Sequence, residues 1–162
     1  MSPSVPHART DASEAGYAPA VSTAGDKAVS VATQFAAALN RRDWAGVRAL
    51  LTADCAYECR GSTTVGADAI VSSYRTMDTW VSETFESVRY DSDIEARPRG
   101  QVLIEFRDRM DYGEHHLDFR CLQLLSFTDD NASIRHIEHI DLPGERDKAD
   151  RFNRACGVTR PS

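Results

Sequence analysis

The first half of the chain places apolar residues with the period of an α-helix. From Asp26, the stretch DKAVSVATQFAAALN has apolar positions at i, i+4, i+7 and i+8, which predicts a helix that ends near Asn40. Asp43 can cap a second, short helix, and Gly66 and Asp68 open a third after the short strand ADCAYECR. The three apolar faces are formed by Val31, Phe35, Ala38 and Leu39, by Trp44, Val47, Leu50 and Leu51, and by Ile70, Tyr74, Met77 and Val81.

The second half changes to long extended stretches joined by turn residues. Four of them predict a meander of antiparallel strands: FESVRYDSDIEA, QVLIEFRDRMDY, HHLDFRCLQLLSF and SIRHIEHIDL. Gly113 and Glu114 suit a two-residue type II′ hairpin turn, which sets Tyr112 opposite His115.

That hairpin register decides which side chains share a face. Asp108 lies opposite Phe119 and Phe106 opposite Cys121, so the two more apolar faces coincide and form the inner side of the sheet. The turn at residues 129–131 allows registers of the next strand that differ by two residues. Because side chains alternate along a strand, a two-residue shift leaves each of them on the same face. We therefore expect Ile134, His136, Glu138 and Ile140 to face inward, and Arg135, Ile137 and His139 to face outward.

Helices followed by long strands predict an α+β domain. We expect a cone-shaped, curved antiparallel sheet whose concave face is covered by three N-terminal helices, with a cavity between the two layers. Residues 1–25, rich in Ser, Ala, Pro and Gly, are interpreted as a flexible N-terminal arm. Residues 26–157 form the single domain, and 158–162 a short tail.

Composition narrows the classes of partner. The net charge is -6, and no run of basic residues is longer than Arg41 and Arg42, so nucleic acid is not an expected partner. No apolar stretch reaches the roughly 18 residues that a membrane span needs. The four cysteines have no metal-type spacing, which indicates free thiols in a reducing, cytoplasmic compartment.

The order of elements resembles the nuclear transport factor 2-like superfamily over residues 27–155. LNRRDWAGVRALLTADCAYEC and IRHIEHID are similar to its opening helices and closing strand. The resemblance implies the cone fold and three enzyme branches for comparison. Steroid isomerases of this fold have a tyrosine on the first helix and a base aspartate on the first strand. Phe35 and Cys59 occupy the corresponding positions in this chain. SnoaL-like polyketide cyclases have an acidic residue on the closing strand, which matches Glu138.

Limonene-epoxide-hydrolase-like enzymes provide the third comparison. Tyr57, Asp108 and Glu138 match their tyrosine and two acids, while Cys59 and Phe106 replace their asparagine and arginine. The branches together imply an enzyme without a cofactor. Its substrate would be a small apolar, polyketide- or terpenoid-like molecule, and its reaction isomerisation, cyclisation, dehydration or epoxide hydrolysis.

The inward-facing polar residues are the candidate catalytic groups. Asp108 is the only charged residue on its apolar face, and a carboxylate there should have a raised pKa, which suits general acid/base catalysis. Its alternative role is an ion pair with an arginine at the cavity rim. Glu138 would share the wall with Asp108, or else form a hydrogen bond with Gln123 or Cys121. His136 would tune Glu138 or be a satisfied core histidine, and Tyr57 would orient substrate or water.

Side chains around these groups are candidate substrate contacts, or else ordinary core. Cys59 is interpreted as a small filler. No metal is expected, because His139 faces outward and His115 and His116 lie at the far end of the neighbouring strand. The candidate contacts are Phe35, Cys59, Tyr74, Met77, Trp80, Phe106, Phe119, Cys121 and Gln123.

The outer face of the sheet suggests an assembly surface. Leu122, Leu124 and Ile137 would form an apolar patch there, which predicts a homodimer through this face. The alternative to an enzyme is therefore a non-catalytic member of the fold that binds a small ligand or serves as a dimeric assembly module.

Overall fold

The computed structural model describes residues 23–161, so residues 1–22 of the predicted arm lie outside the described residues. The last two residues of that arm, Ala24 and Gly25, are helical, so the arm was predicted too long. The described part contains four α-helices and a six-stranded sheet. The helices are α1 (Ala24–Asn40), α2 (Trp44–Leu50), α3 (Ala67–Thr84) and α4 (Glu145–Cys156). The strands are β1 (Leu51–Cys59), β2 (Ser62–Val65), β3 (Ser87–Ala96), β4 (Val102–Tyr112), β5 (His115–Phe127) and β6 (Ile134–Asp141).

The first three helices are confirmed, with local reasons for their ends. Helix α1 begins two residues before the expected start, because Thr23 caps it: its hydroxyl accepts from the Asp26 N–H at 3.2 Å, and Asp26 accepts from the Thr23 N–H at 2.9 Å. Asp43 caps α2 by accepting from the Gly46 N–H at 2.9 Å. Gly66 precedes α3 with a φ of 105°, a conformation that favours glycine.

The β4–β5 hairpin follows the predicted register. Gly113 has a φ of 56° while Glu114 does not have a positive φ, as a type II′ turn requires. Tyr112 then pairs with His115 and Asp108 with Phe119. The α+β cone is therefore confirmed, and its inner face on β4 and β5 is the predicted one.

The sheet is mixed, whereas the sequence predicted only antiparallel pairing. Its strand order is β2-β1-β6-β5-β4-β3, and β1 runs parallel to β6. The four-residue strand β2, which was not predicted, pairs with the end of β1. The C-terminal ends of β1 and β6 consequently lie side by side.

A β-bulge in β6 overturns the predicted parity of the closing strand. Phe127 pairs with Ile134, but Ser126 pairs with His136, so Arg135 is an extra residue. One extra residue turns every later side chain to the other face. Ile137 is consequently fully buried, with 0% exposure. The inward placement predicted for His136, Glu138 and Ile140 was wrong, as was the outward placement of Ile137 and His139.

The bulge also changes the outer apolar patch. Ile137 leaves it, and Ile140, which pairs with Leu122, takes its place beside Leu124. Homodimerisation through this face stays a prediction.

Helix α4 was not predicted, because only a few apolar residues interrupt a run of charges in ERDKADRFNRAC. Those few residues nevertheless share a face. Phe152 and Cys156 are buried in a second core cluster at one end of the cone. Gly157, with a φ of 69°, ends the helix. The partners in this cluster are Val81, Phe85, Met110 and Leu117.

The main core fills the space between the helices and the concave face of the sheet. Phe35, Ile70, Ile104, Leu125 and Ile134 are each fully buried there. Within residues 23–161, no helix combines the length and apolar character needed to cross a bilayer.

We expect Phe152→Ala to lower the free energy of unfolding by about 3 kcal/mol, because it removes a buried ring and leaves a cavity under α4. Urea denaturation followed by circular dichroism measures this. Arg151→Ala, an exposed neighbour on the same helix, is the control and should change stability by less than about 0.5 kcal/mol. Equal effects of the two would contradict the packing of α4.

Candidate active site

A cavity of about 150 Å³ opens between α1, α2, α3 and the inner face of the sheet. Its walls are mainly apolar, and Asn40, Asp78 and Asp108 contribute amide and carboxyl groups to them. An apolar pocket with a few polar groups is typical of small-molecule sites. The remaining lining residues are Leu39, Trp44, Tyr74, Met77, Val81, Tyr90, Phe106, Met110 and Cys121.

Asp108 is the unpaired acid of this cavity. Strand pairing places it between Tyr90 of β3 and Phe119 of β5. It accepts no hydrogen bond and forms no ion pair with any side chain of residues 23–161, so the alternative of an arginine partner at the rim is not observed. Burial raises the pKa of Asp108 to about 7, although the positive charge of Arg160 acts to lower it. The group can therefore exchange a proton near neutral pH.

Asp78 lines the same cavity, but an ion pair with Arg42 balances its charge. The Arg42 Nε donates to Asp78 Oδ2 at 2.7 Å, and the Tyr90 hydroxyl lies 3.5 Å from Asp78 Oδ1. Burial raises the pKa of Tyr90 well above its ordinary value, so its hydroxyl keeps its proton. Tyr90 is thus a neutral donor next to Asp108.

A second polar cluster lies where β1 and β6 end together. Arg60 binds Asp141 through both ends of its guanidinium, at 2.8 and 2.7 Å, and the hydrogen bond with Arg60 holds the Asp141 pKa well below its usual range. His139 Nε2 lies 3.1 Å from Asp141 Oδ1. Because that carboxylate is ionised, we assign the proton to Nε2. Burial lowers the pKa of His139, and its Nδ1 is buried without a partner among residues 23–161.

Aromatic side chains connect the two polar regions. Tyr74 donates to Gln123 Oε1 at 2.9 Å, and its ring centre is 5.7 Å from that of Tyr57 and 6.2 Å from that of Phe35. The Tyr57 pKa is raised well above its ordinary value, chiefly by burial and then by the nearby Cys59 thiol. Tyr57 therefore remains a hydrogen-bond donor on the inner face.

Buried cysteines in this region are poor nucleophiles. Burial, followed by the charges of Asp108 and Asp141, raises the pKa of Cys121 to about 12. Burial raises the pKa of Cys55 to about 11. Thiolate is the reactive form, so these two thiols serve as small apolar wall residues.

The predicted contact residues divide between wall, core and neighbouring surface. Tyr74, Met77, Phe106 and Cys121 line the cavity together with Asp108. Phe35 is a core residue behind Tyr74, Gln123 is buried and bonded to Tyr74, and Phe119 lines an adjoining cleft. Trp80 packs on Phe85, with ring centres 5.4 Å apart, in the second core cluster. Tyr57 and Cys59 lie on β1, beside the end of β6.

Two predicted catalytic residues lie outside the cavity. Glu138 is exposed and pairs with Leu124 on the outer side of the sheet. His136 Nε2 lies 3.3 Å from Glu58 Oε1 on that same side. Both placements failed because the bulge at Arg135 was not anticipated. Without contact with the cavity, neither side chain has the location that motivated its predicted role.

Sequence reasoning missed five polar residues in or near the site. Tyr90 lines the cavity, Arg60 and Arg160 line the adjoining cleft, and His139 and Asp141 lie in the cluster at the ends of β1 and β6. The spacing of Ile134 and Ile137, both fully buried, was the available signal: two core residues three apart do not fit one face of a regular strand. Among residues 23–161, no three His, Cys, Asp or Glu side chains are grouped as a metal site would need.

Comparison with known proteins gives the family. A model of the SnoaL-like domain matches residues 32–136. The chain belongs to the SnoaL-like domain family. The search of curated proteins found no match.

Solved structures share the fold of this SnoaL-like protein at low identity. A candidate polyketide cyclase from Xanthomonas campestris pv. campestris is 18% identical, with a TM-score of 0.61 over 78% of this chain and 98% of that one. A protein from a soil-derived mobile gene cassette is 16% identical, with a TM-score of 0.65 over 80% and 98%. An LEH-like epoxide hydrolase from M. tuberculosis is 22% identical, with a TM-score of 0.57 over 80% and 93%. These likenesses establish the cone fold.

The Asp108 carboxyl should make stability depend on pH in a direction opposite to that of an ordinary surface acid. Its folded-state pKa of about 7 lies above the ordinary value of 3.8, so the folded state holds the proton more tightly. The resulting stabilisation is lost as pH rises from about 4 to 7. Asp108→Asn has no carboxyl group to ionise and so does not lose this stability. The free energy of unfolding of the variant minus that of wild type should therefore rise by about 1 to 3 kcal/mol between about pH 5 and pH 8.

Urea denaturation at each pH measures this difference. Glu138→Gln is the matched control, since its carboxylate is exposed on the other face of the sheet, and the pH-dependent change for Asp108→Asn should exceed the change for this control. A pH-independent difference for Asp108→Asn would contradict the raised pKa.

Proposed function

We propose that this protein is a cofactor-independent enzyme that moves a proton on a small, largely apolar molecule, with Asp108 as the general acid/base. The observation that carries the proposal is an unpaired carboxyl group, with a pKa of about 7, in the wall of an apolar cavity. Such a group is poised to accept and return a proton at neutral pH. Membership of the SnoaL-like family is consistent with this chemistry.

The cavity defines what the side chains would do. An apolar substrate body in contact with Phe106 and Met110 would displace water from Asp108. Ionised Asp108 would then take a proton from carbon or oxygen of the substrate. The Tyr90 hydroxyl would exchange its long, 3.5 Å contact with Asp78 for a hydrogen bond to the charge that develops. Protonated Asp108 would return the proton to a second atom of the same molecule.

A single proton-shuttling carboxyl favours isomerisation or cyclisation among the candidate reactions. Those reactions return the proton to the molecule that gave it, so one group can serve both steps. Hydrolysis of an epoxide needs a base for water and an acid for the ring oxygen, and the second inner-face acid, Asp141, is held by Arg60 and His139.

The proton-transfer role can be tested before the natural substrate is known. 5-Nitrobenzisoxazole is a small aromatic molecule whose ring opens when one carbon-bound proton is removed, and its product is coloured. We expect the wild-type protein to accelerate this opening, with a rate that rises with pH through about 7 and then levels, because Asp108 must be ionised. Asp108→Asn should lower the rate by about 100-fold or more and remove the pH step.

Glu138→Gln is again the matched control, and it should keep the wild-type rate and pH profile. Wild-type protein without acceleration over buffer, or Asp108→Asn with an unchanged rate, would contradict the acid/base role. In that case, the alternative of a ligand-binding or assembly module would be favoured.

A further inference from the structure

An open cleft of about 650 Å³ adjoins the cavity at one end of the cone. It is bounded by α3, by α4, by the turn after β1 and by the C-terminal residues Arg160 and Pro161. Hydroxyl-bearing side chains form one wall, and Asn153 lies on the opposite helix. The hydroxyl-bearing residues are Thr64, Ser72, Ser73 and Thr76.

The cleft gathers positive charge on a protein whose net charge is -6. Arg60, Arg146 and Arg160 line it, from three separate segments, while Asp150 is the one acid in the lining. Arg60 is occupied by Asp141, and Arg146 Nε reaches the same carboxylate only at 4.0 Å. Arg160 has no ion-pair partner among residues 23–161. Two guanidinium groups are therefore available for an anion.

The cleft and the apolar cavity are neighbours. Met77 lines both, and Phe119, which lines the cleft, pairs directly with Asp108 across β4 and β5. The charge of Arg160 acts on Asp108 and also on His139. An elongated molecule could thus touch Asp108 with one end and Arg160 with the other.

We propose that the cleft binds the carboxylate of an aryl or similarly apolar acid, through Arg146 and Arg160, while the apolar body of that acid occupies the cavity at Asp108. The proposal rests on the proposed function only for the use of the cavity by the substrate body. Guanidinium groups bind carboxylates by paired hydrogen bonds. The serine and threonine hydroxyls of α3 add neutral donors on the facing wall.

Anion binding at Arg160 would also change Asp108. Arg160 holds the pKa of Asp108 below the value that burial alone would give. A bound carboxylate neutralises that charge, so the Asp108 pKa should rise and the site should take up a proton near neutral pH. Binding of the acid would therefore leave Asp108 protonated, and on such a substrate Asp108 would give its proton first and then take one back from a second atom.

The test compares 2-naphthoate with 2-naphthamide, its neutral analogue, by isothermal titration calorimetry on the full chain. We expect the acid to bind about tenfold more tightly at low salt, a preference that weakens as salt is added. Arg160→Gln should lower affinity for the acid by about tenfold and leave that for the amide unchanged. Arg151→Gln, which removes an exposed arginine of α4 outside the cleft, is the matched control and should change neither.

Three outcomes would overturn the proposal: equal binding of acid and amide, binding of neither, or equal effects of Arg160→Gln and Arg151→Gln. Inorganic phosphate should displace 2-naphthoate only at concentrations at least about tenfold higher, since it has no apolar body. Displacement at equal concentration would assign the cleft to free phosphate instead.

Proton uptake separates this proposal from the proposed function. Titrations in Tris and in HEPES at about pH 7.5 should show uptake in wild type and none in Asp108→Asn, which should still bind the acid. Acid binding without uptake in wild type would overturn the placement of the carboxylate beside Arg160. A protein that binds the acid in this way but does not open 5-nitrobenzisoxazole would refute the catalytic role alone.

Discussion

The extra residue in β6 is the constraint on which the polar half of the site depends. Side chains alternate along a strand, so Arg135 as a bulge turns everything after it to the opposite face. Ile137 then completes the core. His139 and Asp141 reach the inner side, where Arg60 can bind Asp141 from the end of the parallel strand β1. Without the bulge, Glu138 would lie on the inner face and Asp141 on the outer one.

Three carboxyl groups near the inner side of the cone avoid the cost of an unpaired buried charge in two different ways. Asp78 and Asp141 each have an arginine at hydrogen-bonding distance, 2.7 Å in both cases. Asp108 has none, and its pKa rises accordingly. Unpaired buried charge is costly, and neutralisation by protonation is the usual response. The contrast within one molecule indicates that the fold has arginines for its structural acids but leaves Asp108 without one.

The sequence predicted those parts of the molecule whose signals are local. The helical periods, the cap at Asp43 and the glycine turn at Gly113 each act over a few residues, and they fixed α1 to α3, the β4–β5 register and the inward placement of Asp108. The position of β6 depends on a bulge and on parallel pairing with β1, which are long-range choices. Helix α4 was missed because its few apolar residues stand among many charged ones, and because the cluster on which Phe152 docks is distant in sequence.

A purely ligand-binding role would have to account for Asp108. A cavity selected only to hold an apolar molecule would gain from an uncharged side chain at this position, because the carboxylate costs stability whenever it is ionised and the ligand would remove its remaining water. Proton transfer, in contrast, requires such a carboxyl group, because its protonated and ionised forms have nearly equal free energies at neutral pH. The position of Arg160 sharpens the argument. Its positive charge lowers the cost of the ionised form and holds the Asp108 pKa below the value that burial alone would give, in the direction that proton transfer near neutral pH requires.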